Sequence, residues 1–401
     1  MSGFDLNLRH LHLVLDVARC GSVSAAAEHA GLSQPAMTQA LGNIERTVGA
    51  PLFNRSNAGM TLNAVGLSFI ERIERAVACL REAFTDVCRT NAAQLQHIER
   101  AATASQLNAL VAVVDQGSFS QAARAAYVAA PTIHRAARDL ERLVGLALFE
   151  RTSFGMQPTR EAQRLARGAK LALAEIDQAR AELAAVNGGA SGRTVIGAMP
   201  LARSFLLPRV LVDFTREHPL HAVSILEGSY DNLITQLRGG TVDFLLGALR
   251  NPLVFKDVVQ EHLFDDELAI IVRADHPLTR RKRVSVRTLV KYPWIAPRRE
   301  SPLHENFLKL FQRADSPTPQ STIECNSLVA SRSLLLESDR VMLLSVHQIH
   351  YDLKAGLLAA LPHPHGRVTR AIALTTRMHW RPTQAQARLL ELLKQQAARI
   401  P

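Results

Sequence analysis

The sequence predicts a multidomain chain with a duplicated, mainly helical first half and an α/β second half. A shift of 96 residues superposes segment 11–66 on segment 107–162 with 19 identities in 56 positions. An apolar stripe with helical spacing follows each copy. Beyond the segment NGGASG at 187–192, short apolar runs alternate with helical stretches. The first half therefore carries one module twice, and the second half is typical of an α/β fold.

Composition limits the class of protein. The chain has 401 residues, 47% of them hydrophobic and 21% charged, which is typical of a globular protein with several domains. Its four cysteines form no CxxC pair, and neither a signal peptide nor an apolar run of about 18 residues is found. We therefore expect a reduced, cytoplasmic chain without a membrane segment.

The net charge is weaker evidence for nucleic-acid binding than its size suggests. The value of +11 is typical of a protein that binds nucleic acid. Residues 1–90 are neutral overall, however, residues 91–192 carry +2, and residues 193–401 carry +9. Any attraction to phosphate in the duplicated half must therefore come from a few positioned arginines.

The first copy is predicted to form three helices and a wing. Its first helix ends at Gly21, Ser22 or Ser24 caps a short second helix, and Gly31 provides a tight turn before Ser33 caps the third. The buried face of the third helix contains Met37, Leu41, Ile44 and Val48. Residues 52–62, with a glycine turn in the middle, predict a two-stranded wing.

A short helix, a glycine turn and a second helix predict a helix-turn-helix, whose second helix enters the major groove of DNA. The outer face of that helix carries Thr38, Gln39 and Asn43, and amide side chains can pair with adenine. Arg55 in the wing can reach a phosphate or the minor groove. The alternative is that this face is only the solvated side of a small helical domain.

The run SVSAAAEHAGLSQPAMTQALGNIERTVGAPLFNR resembles the winged helix-turn-helix of LysR-type transcriptional regulators, most specifically in SQPAMTQALGNIE and LFNR. In that family the residues that open the recognition helix contact DNA. The resemblance therefore implies DNA contacts by Ser33, Gln34, Pro35, Thr38, Gln39 and, in the wing, Arg55.

The second copy keeps the scaffold and changes the exposed face. Ala129 and Ala130 replace the serine cap and the first amide. The predicted DNA-facing residues of this copy are Thr132, His134, Arg135, Arg138 and Arg151. Arginine favours phosphate and guanine, so we expect a different sequence preference. The alternative is a fold kept for packing, and two such domains depart from the usual family pattern of one.

The apolar stripe after each copy predicts a linker helix. The first begins at a cap on Asn63 and the second at a cap on Thr159. An apolar seam with a charged outer face requires a partner helix, and a homodimer is the predicted partner, as the resemblance also implies. The alternative is that the two linker helices pack against each other within the chain.

In the second half, the alternation predicts mostly parallel sheets, with ligands beyond the carboxyl ends of strands. The segments IGAMPLARSFLLPRVL and LEGSYDNLITQLRGGTVDFLLGAL resemble the effector domain of the same family, a two-lobed fold like periplasmic solute-binding proteins. The resemblance implies that the chain crosses between the lobes near 264–268 and 361–369. The predicted cleft residues are Met199, Ala202, Arg203, Ser204, Ser229, Ser301, Asn326, Ser327 and Ser345.

The predicted fold class is therefore two all-α winged helix-turn-helix domains with linker helices, followed by a two-lobed α/β domain like a periplasmic binding protein. The predicted bounds are 1–66 for the first winged domain, 67–103 for its linker and dimerisation helix, 104–161 for the second winged domain, 162–188 for its linker helix and 193–401 for the effector domain. Lobe I is predicted at 193–265 and 368–401, and lobe II at 266–367.

These features predict a transcriptional regulator that binds double-stranded promoter DNA, is controlled by a small-molecule metabolite, forms a homo-oligomer and contacts RNA polymerase. Its second half is most similar to the subgroup that controls sugar uptake and protocatechuate breakdown. No catalytic motif, cofactor motif or metal-ligand pattern is found, so we expect no enzyme activity, no cofactor and no metal. The alternative function is a metabolite sensor whose helical half is a protein-interaction platform. Cys325 is expected to be inert, with redox sensing as the alternative.

Overall fold

The computed structural model describes residues 7–56, 59–88, 90–153, 155–186, 192–200 and 202–400, with the side chain of Arg203 also outside the described part. The chain divides into two compact units, one reaching to Thr194 and one holding most of the remainder. The predicted boundary at 187–192 lies, except for Gly192, outside the described residues.

The first copy consists of α1 (Leu8–Cys20), α2 (Val23–His29), α3 (Gln34–Val48) and a hairpin of β1 (Phe53–Ser56) and β2 (Gly59–Leu62). Ser22, of the two serines proposed, caps α2 by accepting the N–H of Ala25. Gly31 has a φ of +63°, which confirms the tight turn between α2 and α3. The wing is confirmed as antiparallel, with Arg55 opposite Met60.

The second copy repeats this order with α6 (Ala104–Gln116), α7 (Phe119–Ala126), α8 (Ala130–Val144) and a hairpin of β3 (Phe149–Thr152) and β4 (Gly155–Pro158). As predicted, Ala129 gives α8 no side-chain cap. One continuous hydrophobic core includes buried residues of both copies and of the long helices that follow them. The two copies are thus parts of one folded unit.

The linker helices differ from the prediction in two ways. The helix expected over 67–103 is instead α4 (Ala64–Val87) and a separate α5 (Ala92–Ala101). The long helix after the second copy, α9 (Arg160–Val186), packs against α4 within the same chain. The partner of each apolar seam is therefore the other helix of the chain and not, as predicted, the same helix of a second copy.

The second unit is built on one mixed nine-stranded sheet. Its elements before the long strands are β5 (Arg193–Ala198), a π-helical turn (Ala202–Leu206), α10 (Leu207–Glu217), β6 (Ala222–Leu226), α11 (Tyr230–Arg238) and β7 (Phe244–Ala248). The elements that follow are β8 (Val258–Arg273), α12 (Val286–Leu289), β9 (Trp294–Ala296), α13 (Pro302–Gln312), β10 (Thr322–Glu324), α14 (Leu328–Leu336), β11 (Val341–Ser345), α15 (His350–Lys354), β12 (Leu358–Leu361), β13 (Val368–Arg377) and α16 (Gln384–Ala397).

The two long strands join two lobes, as the resemblance implied. The order is β10-β9-β11-β8-β13-β7-β5-β6, with β12 also paired to β8. The first part of β8 pairs with β13 beside β7, and its last part pairs with β11 and β12. Because β8 and β13 run antiparallel to each other and to their other neighbours, the prediction of mostly parallel sheets is wrong at the centre of the sheet. Separate apolar cores lie at the two ends of the sheet.

Candidate nucleic-acid interface and effector cleft

The start of α3 presents the DNA-contact residues implied for the first copy. Ser33 precedes the helix, and its side-chain oxygen accepts the N–H of Ala36 at 3.4 Å. All five residues expected to contact DNA on this helix are exposed, namely Ser33, Gln34, Pro35, Thr38 and Gln39. The opposite face is buried through Met37, Leu41 and Ile44, as predicted, while Val48 is only half-buried. The helix therefore offers an uncharged face of short and amide side chains to the outside.

Thr38 shows how this face is oriented. Its hydroxyl donates a hydrogen bond to the carbonyl oxygen of Gln34 at 2.9 Å. The hydroxyl proton is thus used by the helix backbone, as is common for threonine inside helices. What remains for a ligand is a methyl group, suited to a thymine methyl, and an acceptor lone pair.

The wing is connected to the reading helix through a carboxylate that sequence reasoning missed. Arg55 on β1 is exposed, with its Nη2 atom 3.8 Å from Oε2 of Glu45 on α3. The other oxygen of Glu45 accepts the N–H of Leu52 at 2.8 Å. In the second copy Glu141 accepts the N–H groups of Leu148 and Phe149. The only sequence signal is that this glutamate is identical in the two repeats.

The face of α8 is also exposed but has different chemistry. Thr132, His134, Arg135 and Arg138 are all exposed, as is Arg151 on β3. The His134 ring stacks on Phe119, with centroids 4.1 Å apart and planes 5° from parallel. This stack holds the imidazole beside the helix. Two arginines on one helix face offer charged donors, where α3 offers amides.

Tyr127 was not among the predicted site residues. It ends α7 directly before the α8 turn, with φ +54°, and its side chain is 96% exposed. Its counterpart in the first copy is Gly31. A tyrosine in the left-handed region is unfavourable unless something retains it. The exchange of a glycine for an aromatic residue at a repeated turn was the signal available in the sequence.

In the second unit, three predicted cleft serines begin helices. Ser229, Ser301 and Ser327 accept the N–H groups of Asn232, Leu303 and Ala330, respectively. Ser229, Ser327 and the neighbouring Asn326 are exposed, and Ser301 is half-buried. Each serine marks a helix start whose free N–H groups can bind an anionic or polar ligand.

Other predicted cleft residues are less available. Ala202 is 1% exposed and belongs to the apolar core of lobe I, so its side chain does not line an open cleft. Ser204 donates to the carbonyl oxygen of Pro200 at 2.9 Å. Met199 is half-buried, and its backbone N–H donates to Leu246. The prediction for Arg203 falls on a side chain outside the described part.

Ser345 belongs to a buried polar cluster at the crossing of the lobes. It is fully buried, and its hydroxyl donates to Oδ1 of Asp266 at 2.5 Å. Asp266 is fully buried on β8 and also contacts Nδ1 of His347 at 3.0 Å and Nε of Arg370 at 2.9 Å. The cluster connects β8, β11 and β13 at the point where the chain passes between lobes. Asp266 was missed because the inward-facing member of three consecutive acidic residues, Asp265, Asp266 and Glu267, cannot be assigned without the strand register.

The metal-ligating and thiol side chains form no further site in the described part of the chain. Within the described residues, no group of three or more His, Cys, Asp or Glu side chains is placed to hold a metal ion. The Cys325 thiol contacts the carbonyl oxygen of Ser327 at 3.5 Å. Every described helix is too short or too polar to span a bilayer.

Comparison with known proteins decides the family. The family model "Bacterial regulatory helix-turn-helix protein, lysR family" matches twice, at residues 8–67 and 104–163. The model "LysR substrate binding domain" matches residues 187–398. The chain belongs to the LysR family of bacterial transcriptional regulators. It is a DNA-binding regulator with an effector-binding domain, as predicted, and its relatives are regulators and not enzymes.

Among individual relatives, the chain is 31% identical to the HTH-type transcriptional regulator GalR of Pseudomonas putida, over 97% of both chains. It is 28% identical to PcaQ of Agrobacterium fabrum, over 73% of this chain and 94% of PcaQ. A full-length OxyR variant from Pseudomonas aeruginosa has the same fold, with a TM-score of 0.53 and 22% identity over 74% of this chain and 94% of that chain. The match to GalR extends through both helix-turn-helix copies.

Proposed function

We propose that this LysR-family regulator reads promoter DNA through the start of α3 and, with a different preference, through α8. The observation that carries the proposal is the exposed, uncharged and capped start of α3 beside an arginine-bearing wing. Gln34 and Gln39 supply amides for adenine, and Thr38 supplies a methyl group for thymine. Arg55, Arg135, Arg138 and Arg151 supply the contacts with phosphate or guanine.

We further propose that a small metabolite binds between the lobes, near the helix starts at Ser229, Ser301 and Ser327. Among the described strands, only β8 and β13 run from one lobe into the other, so a modest change at their crossing reorients the lobes. A ligand that prefers the closed form shifts the population towards it. That shift changes how the DNA is bent and how RNA polymerase is contacted.

The remaining parts of the proposal follow from this role. Access to a promoter requires a cytoplasmic location. LysR regulators form oligomers, and we propose that this chain forms a homo-oligomer through surfaces other than the α4–α9 seam, which is occupied within the chain. The similarity to GalR and PcaQ supports an effector from the sugar-uptake or protocatechuate subgroup.

Gel shifts with DNA from upstream of the gene test the reading helix. We expect salt-dependent binding that is stronger than binding to random duplex. Gln34→Ala and Gln39→Ala should each lose about 1–3 kcal/mol of discrimination, because a bidentate base contact is removed. Gln395→Ala, an exposed amide on α16, is the matched control and should bind like wild type.

Two results would contradict the proposal. A footprint unchanged in both reading-helix variants would show that α3 does not read bases. Equal affinity for promoter and random duplex would favour the protein-interaction platform instead.

A further inference from the structure

The α4–α9 pair is antiparallel, and its contacts run along most of both helices. Ser68 near the start of α4 donates to Glu182 near the end of α9 at 2.7 Å. Farther along, Arg75 contacts Glu175 at 3.0 Å. Beyond the middle, Gly168 of α9 lies against Ala83 of α4. The two helices occupy corresponding positions in the repeat, so the pair resembles a symmetric dimer interface built inside one chain.

A buried charge cluster lies on one side of the centre of this pair. Arg72 is fully buried and donates to Glu182 at 2.6 Å, to Glu175 at 2.9 Å and to Gln178 at 2.7 Å. Burial opposes the charged form, but the hydrogen bonds with Glu182 and Glu175 outweigh it and raise the pKa of the guanidinium. A buried arginine with this many partners fixes one pairing and one register.

The position equivalent to Arg72 in α9 is Gly168, and there the helices touch. A Cβ on Gly168 would lie 2.3 Å from the Cβ of Ala83 and 3.0 Å from the carbonyl oxygen of Cys79. In an α4–α4 pair of the same register, Arg72 of one chain would occupy the position of Gly168. Even a methyl group does not fit at that position. An α9–α9 pair would put a glycine opposite the buried Glu175 and the half-buried Glu182, leaving both without the arginine that Arg72 supplies in the α4–α9 pair. Both homotypic pairs are therefore disfavoured, one by volume and one by charge.

The antiparallel pair separates the two points at which the reading units join it. The first copy joins the start of α4 through the Asn63 cap, and the second joins the start of α9 through Thr159. These starts lie at opposite ends of the pair. A helix of 24 residues such as α4 is about 36 Å long at 1.5 Å per residue. One turn of B-DNA, the usual separation of two half-sites, is about 34–36 Å.

We propose that one chain is a complete reader of two unlike half-sites, one turn of duplex apart. A dimer of identical heads has a two-fold axis that makes its operator palindromic. Here the two heads carry amides on α3 and arginines on α8, so the half-site for α8 should contain guanines that the half-site for α3 lacks. The inference rests on the proposed function, because it requires that these helices contact bases.

Selection of binding sites from a random-sequence duplex pool by the full chain tests this arrangement. We expect a non-palindromic motif with two conserved segments whose centres are about 10–11 base pairs apart. Gln39→Ala should abolish conservation in one segment only, and Arg135→Ala should abolish it in the other only. Arg281→Ala, an exposed arginine of the second unit, is the matched control and should select the wild-type motif.

The outcomes separate the two proposals. One contrary outcome is a palindromic motif in which Gln39→Ala changes both halves and Arg135→Ala changes neither half. That outcome would overturn the single-chain reader but would support base reading by α3. A motif with a single short conserved segment that is unchanged in Arg135→Ala would also overturn the single-chain reader. A wild-type motif in both variants would instead overturn base reading by α3 and α8, and with it the inference that depends on it.

Discussion

Tyr127 occupies the left-handed backbone conformation that Gly31 takes in the first copy. Such a φ costs a non-glycine residue about 1–2 kcal/mol. The side chain is 96% exposed and so gains little from packing in return. A strained residue next to a recognition surface is typical of functional sites. At this scale the exchange of one residue distinguishes the two copies as clearly as the change from amides to arginines.

Tyr127→Gly should therefore stabilise the helical half by about 1 kcal/mol, since glycine adopts this conformation freely. Gly31→Ala, the converse change in the first copy, should destabilise it by a similar amount. Urea unfolding followed by far-UV circular dichroism measures both. Tryptophan fluorescence provides an internal control, because both tryptophans, Trp294 and Trp380, lie in the second unit. A stability loss in Tyr127→Gly would show that the ring makes a stabilising contact.

At the scale of elements, local signals were sufficient for most of the helical half. The repeat, the serine caps, the glycine turns and the wing depend on residues close in sequence, and the structure confirms them. The choice of partner for the linker helices was beyond the sequence, because an apolar seam looks the same whether a second chain or the same chain covers it. Arg72 and Gly168 favour pairing within the chain, but this is evident only once the structure places Arg72 beside Glu175 and Glu182 and Gly168 against Ala83.

Arg72→Met should destabilise the helical half by about 1–3 kcal/mol, because Gln178 and the half-buried Glu182 lose their hydrogen bonds to the guanidinium and Glu175 keeps only Arg75. The same circular dichroism transition measures this loss, and the tryptophan transition should not move. Replacing all three charged residues by apolar residues of similar volume should recover most of the stability. If Arg72→Met unfolds like wild type, the buried cluster does not fix the pairing.

At the scale of the whole chain, the sequence predicted two helix-turn-helix copies and a two-lobed effector domain. The two helix-turn-helix matches and the structure confirm the copies, and the substrate-binding match and the fold comparison confirm the effector domain. It did not predict the strand β13 or the first part of β8. The first part of β8 is polar and largely exposed, and the buried centre of β13, residues 372–375, is a short run between polar residues. Among the residues predicted for the cleft, Ser229, Ser301 and Ser327 begin helices as expected. Ala202 and Ser345 are buried instead, since strand and turn orientation depends on packing that distant residues provide.

α4 and α9 of one chain pair with each other, and cross-linking tests this pairing most directly. Ser68 and Glu182, whose side chains hydrogen-bond across the pair, can be replaced by cysteine in a chain whose own four cysteines are replaced by alanine. A short bismaleimide should then join the two positions within a chain, so that denaturing gels show cross-linked protein of monomer mass. Mixing light and ¹⁵N-labelled chains before cross-linking should give joined peptides that are wholly light or wholly heavy. Dimer-mass bands with mixed-isotope peptides would contradict the claim, because they would show that each seam is covered by a second chain.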